Sequence, residues 1–172
     1  MVIADELREL RLASLEPETE ARLRDVLVRY HLENVVDVRH PLDVTPMMND
    51  AGLVEVAGIL LESDAVDVGL IGVVPLTGAL QTLPASADHD ERLDAPDGLL
   101  AGLARLRVMH TKPFVVVVDA GAAYDPLAAR FEEAGIPTFR TVDRALRALA
   151  RLATHTVPSV SAESPAFAGA GT

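Results

Sequence analysis

The sequence contains no cysteine and no tryptophan, and Lys112 is its only lysine. Without cysteine there is no disulfide framework, no thiolate zinc site and no cysteine nucleophile. Positive charge is scarce: 15 Lys and Arg stand against 26 Asp and Glu, for a net charge of −11. Nucleic acid and anionic membranes are bound by dense positive patches, so neither is expected as a partner. No apolar run approaches the roughly 18 residues of a membrane span. Met1–Glu6 shows neither the basic start nor the apolar stretch of a signal peptide. A cytoplasmic protein is the expectation. Aromatic residues make up only 3%, so a core must be built from Val, Leu, Ile and Ala.

What is present is globular. The 172 residues are 49% apolar and 24% charged, which suits one domain with a sizeable core. Val2, Ile3, Leu7 and Leu10 recur at helical spacing and predict a helix over 2–12, with a short strand at Arg11–Ser14. Pro17 opens a second helix to about Tyr30, with Glu at its start and Arg toward its end. Asn49 is the expected N-cap of a helix over Asp50–Glu62. Val66–Val74 and Pro113–Val118 are nearly all apolar, as strands covered on both faces are. A helix is expected over Gly98–Met109, another from Asp125 to the stop at Gly135, and a short strand at Ile136–Phe139. Thr141 begins a last helix to about Ala153, and residues 154–172, rich in Ala, Ser, Pro and Gly, read as a disordered tail.

Strands alternating with helices at this spacing predict right-handed βαβ units and a parallel sheet. Ligands in such sheets sit at the carboxyl ends of the strands, which singles out the loops Pro75–Leu83, Asp119–Tyr124 and Arg140–Asp143. Asp119-Ala120-Gly121-Ala122-Ala123-Tyr124 has one glycine and no lysine, so it is no nucleotide fingerprint. Gly121 serves either a tight strand-to-helix turn or the approach of an anion to a helix N-terminus. A receiver-type phosphorylation site is excluded, because Lys112 enters its strand at the wrong end. The few aromatics argue against a flavin site, and Asp88-His89-Asp90-Glu91 reads as a solvated acidic loop and not a metal site. The informative segment is His40-Pro41-Leu42-Asp43-Val44-Thr45-Pro46. Asp43 and Thr45 either bond local backbone N–H groups or stand beside a substrate or phosphate.

Three stretches, in order, carry a family resemblance. His40–Pro46 resembles the Asn-Pro-hydrophobic-Asp-hydrophobic-Thr signature of NDP-forming acyl-CoA synthetases, relatives of succinyl-CoA ligase. Lys112–Val118 is similar to that family's Lys-Pro-Val-hydrophobic strand, and Ala134–Thr141 with Ala145–Leu149 resembles its Ala-Gly-Ile-Pro segment and closing helix. The resemblance spans about residues 4–153.

It implies an α/β, flavodoxin-like three-layer parallel sheet over residues 1–153. The family's first strand and Asn-x-Gly-Gly loop have no counterpart here, so the sheet is expected to lack its first strand. A gap or unpaired edge should then lie beside Val66–Val74. The implied function is that of a domain or fragment of an acid–CoA ligase, inactive alone, which shapes a site with CoA-binding, phosphohistidine and ATP-grasp domains. CoA, ATP or ADP and Mg belong to the assembled enzyme, and this chain alone is expected to bind none of them. Pro41, Asp43, Thr45, Pro46 and Gly121 are the residues expected to line the shared site. His40 stands where the signature has Asn, and the family's phosphorylated histidine lies in another domain. The alternative is a non-catalytic small-molecule-binding or regulatory module on the same fold.

Overall fold

The computed structural model describes residues 9–75 and 77–156. Among the described residues two α-helices come first, and three strands follow, each leading to an α-helix. Helix α1 is Pro17–Arg29 and α2 is Asp50–Glu62. Strand β1 (Gly69–Val73) is followed by α3 (Leu99–Met109), β2 (Phe114–Val118), α4 (Asp125–Glu133), β3 (Thr138–Phe139) and α5 (Val142–Thr156). The sheet is parallel with order β1-β2-β3, Gly69 opposite Phe114 and Val116 opposite Thr138. This is the α/β architecture expected of a flavodoxin-like sheet that lacks a strand.

The core divides along the two faces of β2. All five of its residues are buried, and side chains alternate between faces along a strand. Phe114, Val116 and Val118 face a layer that includes Leu61 of α2, Leu103 of α3 and Phe131 of α4. Val115 and Val117 face Ala145 and Leu149 of α5, with Leu10, Val68 and Leu70 packed beside them. A further cluster joins α1 to α2 through Leu23, Val26, Leu27, Val56 and Ile59. Each of these side chains contributes roughly 1.5–3 kcal/mol by leaving water.

The amino edge of β1 is tied by one carboxylate. Glu16 accepts from the Ser63 hydroxyl at 2.7 Å, from the Ala65 N–H at 2.9 Å and from the Thr19 hydroxyl at 3.0 Å. Lys112 donates to the Ser63 carbonyl at 2.6 Å, so the start of β2 joins the same knot. Ser63 heads the hydrogen bonds that hold the Glu16 carboxyl below the ordinary carboxylate range.

Three expectations need correction. Arg11–Ser14 is not a strand, and Glu9–Leu12 is not helical; residues 1–8 of the expected first helix lie outside the described residues. The stretch instead carries the chain from Leu10, packed with Leu70 on one face of the sheet, to Leu15, packed against the α1–α2 cluster. An extended segment becomes a strand only where a neighbour accepts its backbone hydrogen bonds. Among the described residues none pairs with it, and none pairs with the outer edge of β1. Second, β1 and β3 are shorter than Val66–Val74 and Ile136–Phe139. Third, α5 runs to Thr156, three residues past Ala153, while 157–172 lie outside the described residues.

Two outcomes follow. A Cβ added at Gly102 of α3 would stand 2.4 Å from Val54 Cγ2 of α2. Gly102→Ala therefore overpacks the helix pair by about 1–3 kcal/mol, against a helix-propensity gain of about 1 kcal/mol. Urea unfolding should show a net loss near ~1 kcal/mol, recovered in part when Val54→Ala is added. The second concerns Glu16. Its carboxyl is lowered in the folded state, so the stability it contributes is present at neutral pH and lost as pH falls through the acid range. Ser63→Ala should lower the melting temperature most at pH 7, with the difference from wild type narrowing below about pH 4.

Candidate functional site

The loop before α2 is built by its own side chains. Asp43 Oδ1 accepts from the Thr45 N–H at 2.9 Å, and Thr45 Oγ1 accepts from the Met47 N–H at 3.3 Å. These are the local turns expected of Asx and Thr residues. Thr45 has φ +64°, a left-handed conformation uncommon for a residue with a Cβ, and the His40–Pro41 peptide is cis. Leu42 and Val44 anchor the loop in the α1–α2 cluster, leaving Pro41, Asp43 and Pro46 exposed. Asn49 Oδ1 then caps α2 by accepting from the Gly52 N–H at 3.0 Å.

Asp50, the first residue of α2, connects this loop to the carboxyl end of β1. Its buried carboxylate accepts from the Gln81 N–H, with its two oxygens at 3.2 and 3.1 Å. Burial raises its pKa, with Asp97 and Glu91 adding to the rise and the N–H groups of Gln81 and Leu99 opposing it. Glu91 pins the next residues: it accepts from the Thr82 N–H and hydroxyl, both at 2.8 Å, and from the Leu83 N–H at 3.2 Å. Leu80 and Leu93 are buried beneath this stretch. Residues 81–83 of the connection after β1 are therefore held by two carboxylates, Asp50 and Glu91.

At the end of β2 the loop Asp119–Tyr124 is held from β3. Arg140 donates to the carbonyls of Ala120 at 2.8 Å, Gly121 at 3.4 Å and Tyr124 at 3.4 Å, and lies 2.8 Å from Asp125 Oδ1. Gly121 has φ −67° and ψ 177°, and a Cβ there would meet nothing within 4 Å. The turn does not require a glycine, which corrects the tight-turn reading.

The structure thus brings Pro41, Asp43, Thr45 and Pro46 together on one loop. Among the described residues no hydrogen bond or ion pair joins that loop to Gly121. Glu91 is turned onto backbone N–H groups, and no cluster of three or more His, Cys, Asp or Glu able to hold a metal occurs among the described residues. His40 is half-buried, its Nδ1 has no partner, and burial lowers its pKa. An open groove of about 540 Å³ beside α1, lined by Arg24, Leu27, Val36 and Arg39, contains none of the five candidates. Sequence reasoning missed Asp50, Glu91 and Arg140 as organising residues. Asp50 carried one signal, an acid directly after a helix cap; the others resembled ordinary loop charges.

The sequence matches no protein-family model and no curated protein. In structure the chain is similar to PH0766 from Pyrococcus horikoshii OT3, solved as a crystal structure, with a TM-score of 0.67 and 25% identity. The match covers 88% of this chain and 32% of that one, so the chain spans about a third of that protein's length. The likeness agrees with a Rossmann-like α/β fold. Among the described residues no helix is long and apolar enough to cross a membrane.

Asp50→Ala would leave the half-buried Gln81 N–H without its acceptor, at a cost of about 1–3 kcal/mol. Hydrogen exchange should quicken more at Gln81 and Thr82 than at the β2 amides, which report only the global loss. Unchanged exchange at Gln81 would show that the carboxylate does not hold the loop.

Proposed function

We propose that this chain is the flavodoxin-like domain, or a fragment, of an NDP-forming acyl-CoA synthetase, inactive alone and completed by other domains. The observation that carries this reading is the ordered set of three motifs on one α/β fold. His40–Pro46 is the loop before α2, Lys112–Val118 leads into and forms the central strand, and Ala134–Thr141 spans the turn into β3 and α5. The likeness to a third of a longer chain fits a unit that works within a larger protein.

On this reading Pro41, Asp43, Thr45, Pro46 and Gly121 line a site shared with CoA-binding, phosphohistidine and ATP-grasp domains in the cytoplasm. The assembled enzyme interconverts acid, CoA and ATP with acyl-CoA, ADP and phosphate. Nucleotide, CoA and Mg are on this reading held by the other domains. Asp43 Oδ1 and Thr45 Oγ1 accept from N–H groups of their own loop. The chain's contribution is a shaped, pre-set loop: exposed prolines at both ends limit the motion of the Asp43 and Thr45 segment, lowering the ordering cost of docking.

The test mixes the full chain with an NDP-forming acyl-CoA synthetase from which the corresponding domain has been deleted. Association at micromolar concentration and regained acyl-CoA formation are expected, with Asp43→Ala weakening both about tenfold, as the loss of one well-placed contact does. Calorimetry of the chain alone with CoA and with ADP should show no binding. Tight binding of either ligand by the lone chain, without association, would overturn the reading in favour of a small-molecule-binding module.

A further inference from the structure

Asp50 is a carboxylate closed in by three segments. It opens α2, accepts from the Gln81 N–H at 3.2 and 3.1 Å, and faces the Leu99 N–H at the start of α3. Only 7% of it is exposed. An ionised carboxylate has about four acceptor sites, and burying one is costly unless they are filled or a cation lies beside it. Here one N–H is shared between two oxygens, and among the described residues no Lys, Arg or His forms an ion pair with Asp50. The charges that face it have its own sign: Glu91 from the connection after β1 and Asp97 from the approach to α3. The first turns of α2 and α3 add no other charged residue, and Asp94 is turned to Arg130. Burial and the two carboxylates outweigh the N–H groups and raise the Asp50 pKa.

The cover over Asp50 is a lobe of irregular chain. Residues 77–98 carry no helix or strand, whereas strand-to-helix connections in α/β units usually run about 2–6 residues. Within the lobe most polar ties are internal. Glu91 holds Thr82 and Leu83, the Gln81 side chain accepts from the Arg92 N–H, and Leu93 N–H donates to the Leu83 carbonyl. Among the described residues the Gln81–Asp50 contact is the hydrogen bond that ties residues 77–93 to another element, with Leu80 and Leu93 buried beneath.

We propose that residues 77–93 form an acid-tightened latch at the carboxyl end of β1: the lobe closes on Asp50 as its carboxylate takes up a proton from solvent, and loosens as that proton is lost. Protonation leaves an oxygen to accept from Gln81 and removes a buried charge that faces Glu91 and Asp97. In the open lobe Asp50 meets water and titrates near the ordinary value of about 3.9. The closed lobe binds the proton more tightly, so closure is favoured most below about pH 4. It weakens as pH rises through the raised Asp50 value and is constant above it. The latch belongs to this chain alone and does not depend on the assembly proposed above.

The experiment uses the full chain. Carboxyl carbon-13 NMR titrates Asp50, and hydrogen exchange, corrected for the intrinsic effect of pH, is read at Gln81, Thr82 and Leu83. The Asp50 midpoint is expected above the ordinary carboxylate value. Between about pH 4 and that midpoint, exchange at the three amides relative to β2 should rise by up to about tenfold per pH unit and then level off. Asp50→Asn keeps an acceptor oxygen without the charge, and the rise should be lost. Asp97→Asn, at an exposed residue, should lower the midpoint and shrink the rise. A midpoint at or below the ordinary value, or an equal rise in Asp50→Asn, would overturn the latch. Should Asp50→Asn not fold, the wild-type titration and Asp97→Asn decide: an unmoved midpoint and an unchanged rise in Asp97→Asn would count against it in the same way.

Discussion

The rest of the molecule depends on the burial of β2 between two apolar layers. Five consecutive residues, Phe114 to Val118, lose water on both sides, so neither face can be left open. Phe114, Val116 and Val118 require the α2, α3 and α4 layer, and Val115 and Val117 require α5. With aromatics scarce, branched aliphatic side chains supply most of this contact, and they fit the pleated surface of a strand well. β1 and β3 then follow as the neighbours that accept the strand's backbone hydrogen bonds.

This constraint explains how much was legible in advance. The run Pro-Phe-Val-Val-Val-Val identifies a doubly covered strand because no amphipathic pattern competes with it. α1, α2, α4 and the N-cap at Asn49 were equally legible, since proline position, capping chemistry and helical spacing agreed over one short window. Arg11–Ser14 failed for the opposite reason. A strand needs a partner, and partnership is a non-local fact that four residues cannot express. The same limit hid Glu16, Asp50, Glu91 and Arg140. Apart from the helix cap before Asp50, their local contexts are unremarkable, and their importance comes from contacts 8 to 49 residues away.

Those four residues share one physical logic. Glu16, Asp50 and Glu91 accept backbone N–H groups, and Arg140 donates to backbone carbonyls, so irregular segments receive the hydrogen bonds that helices and strands provide internally. The carboxyl edge is thereby pre-set. Asp50 and Glu91 organise the connection after β1, and Arg140 the loop after β2, while Asp43 and Thr45 organise the loop before α2. Of these, only the Asp43 and Thr45 bonds could be anticipated, because they span two residues each.

An open α/β sheet forms its ligand crevice where the strand order reverses direction, because the loops on either side of that point then diverge onto opposite faces. Among the described residues the order is β1-β2-β3 without reversal, and the outer side of β1 carries no strand. A reversal beside β1 would need a strand outside these three. The ordered loops at the carboxyl ends therefore present a surface and not an enclosed crevice, which is why Asp43, Thr45 and Gly121 are exposed or only half-buried despite the care with which they are held. A rigid surface of this kind gains function by meeting a second surface. That consideration supports the proposed reading of the chain as a module of a larger assembly.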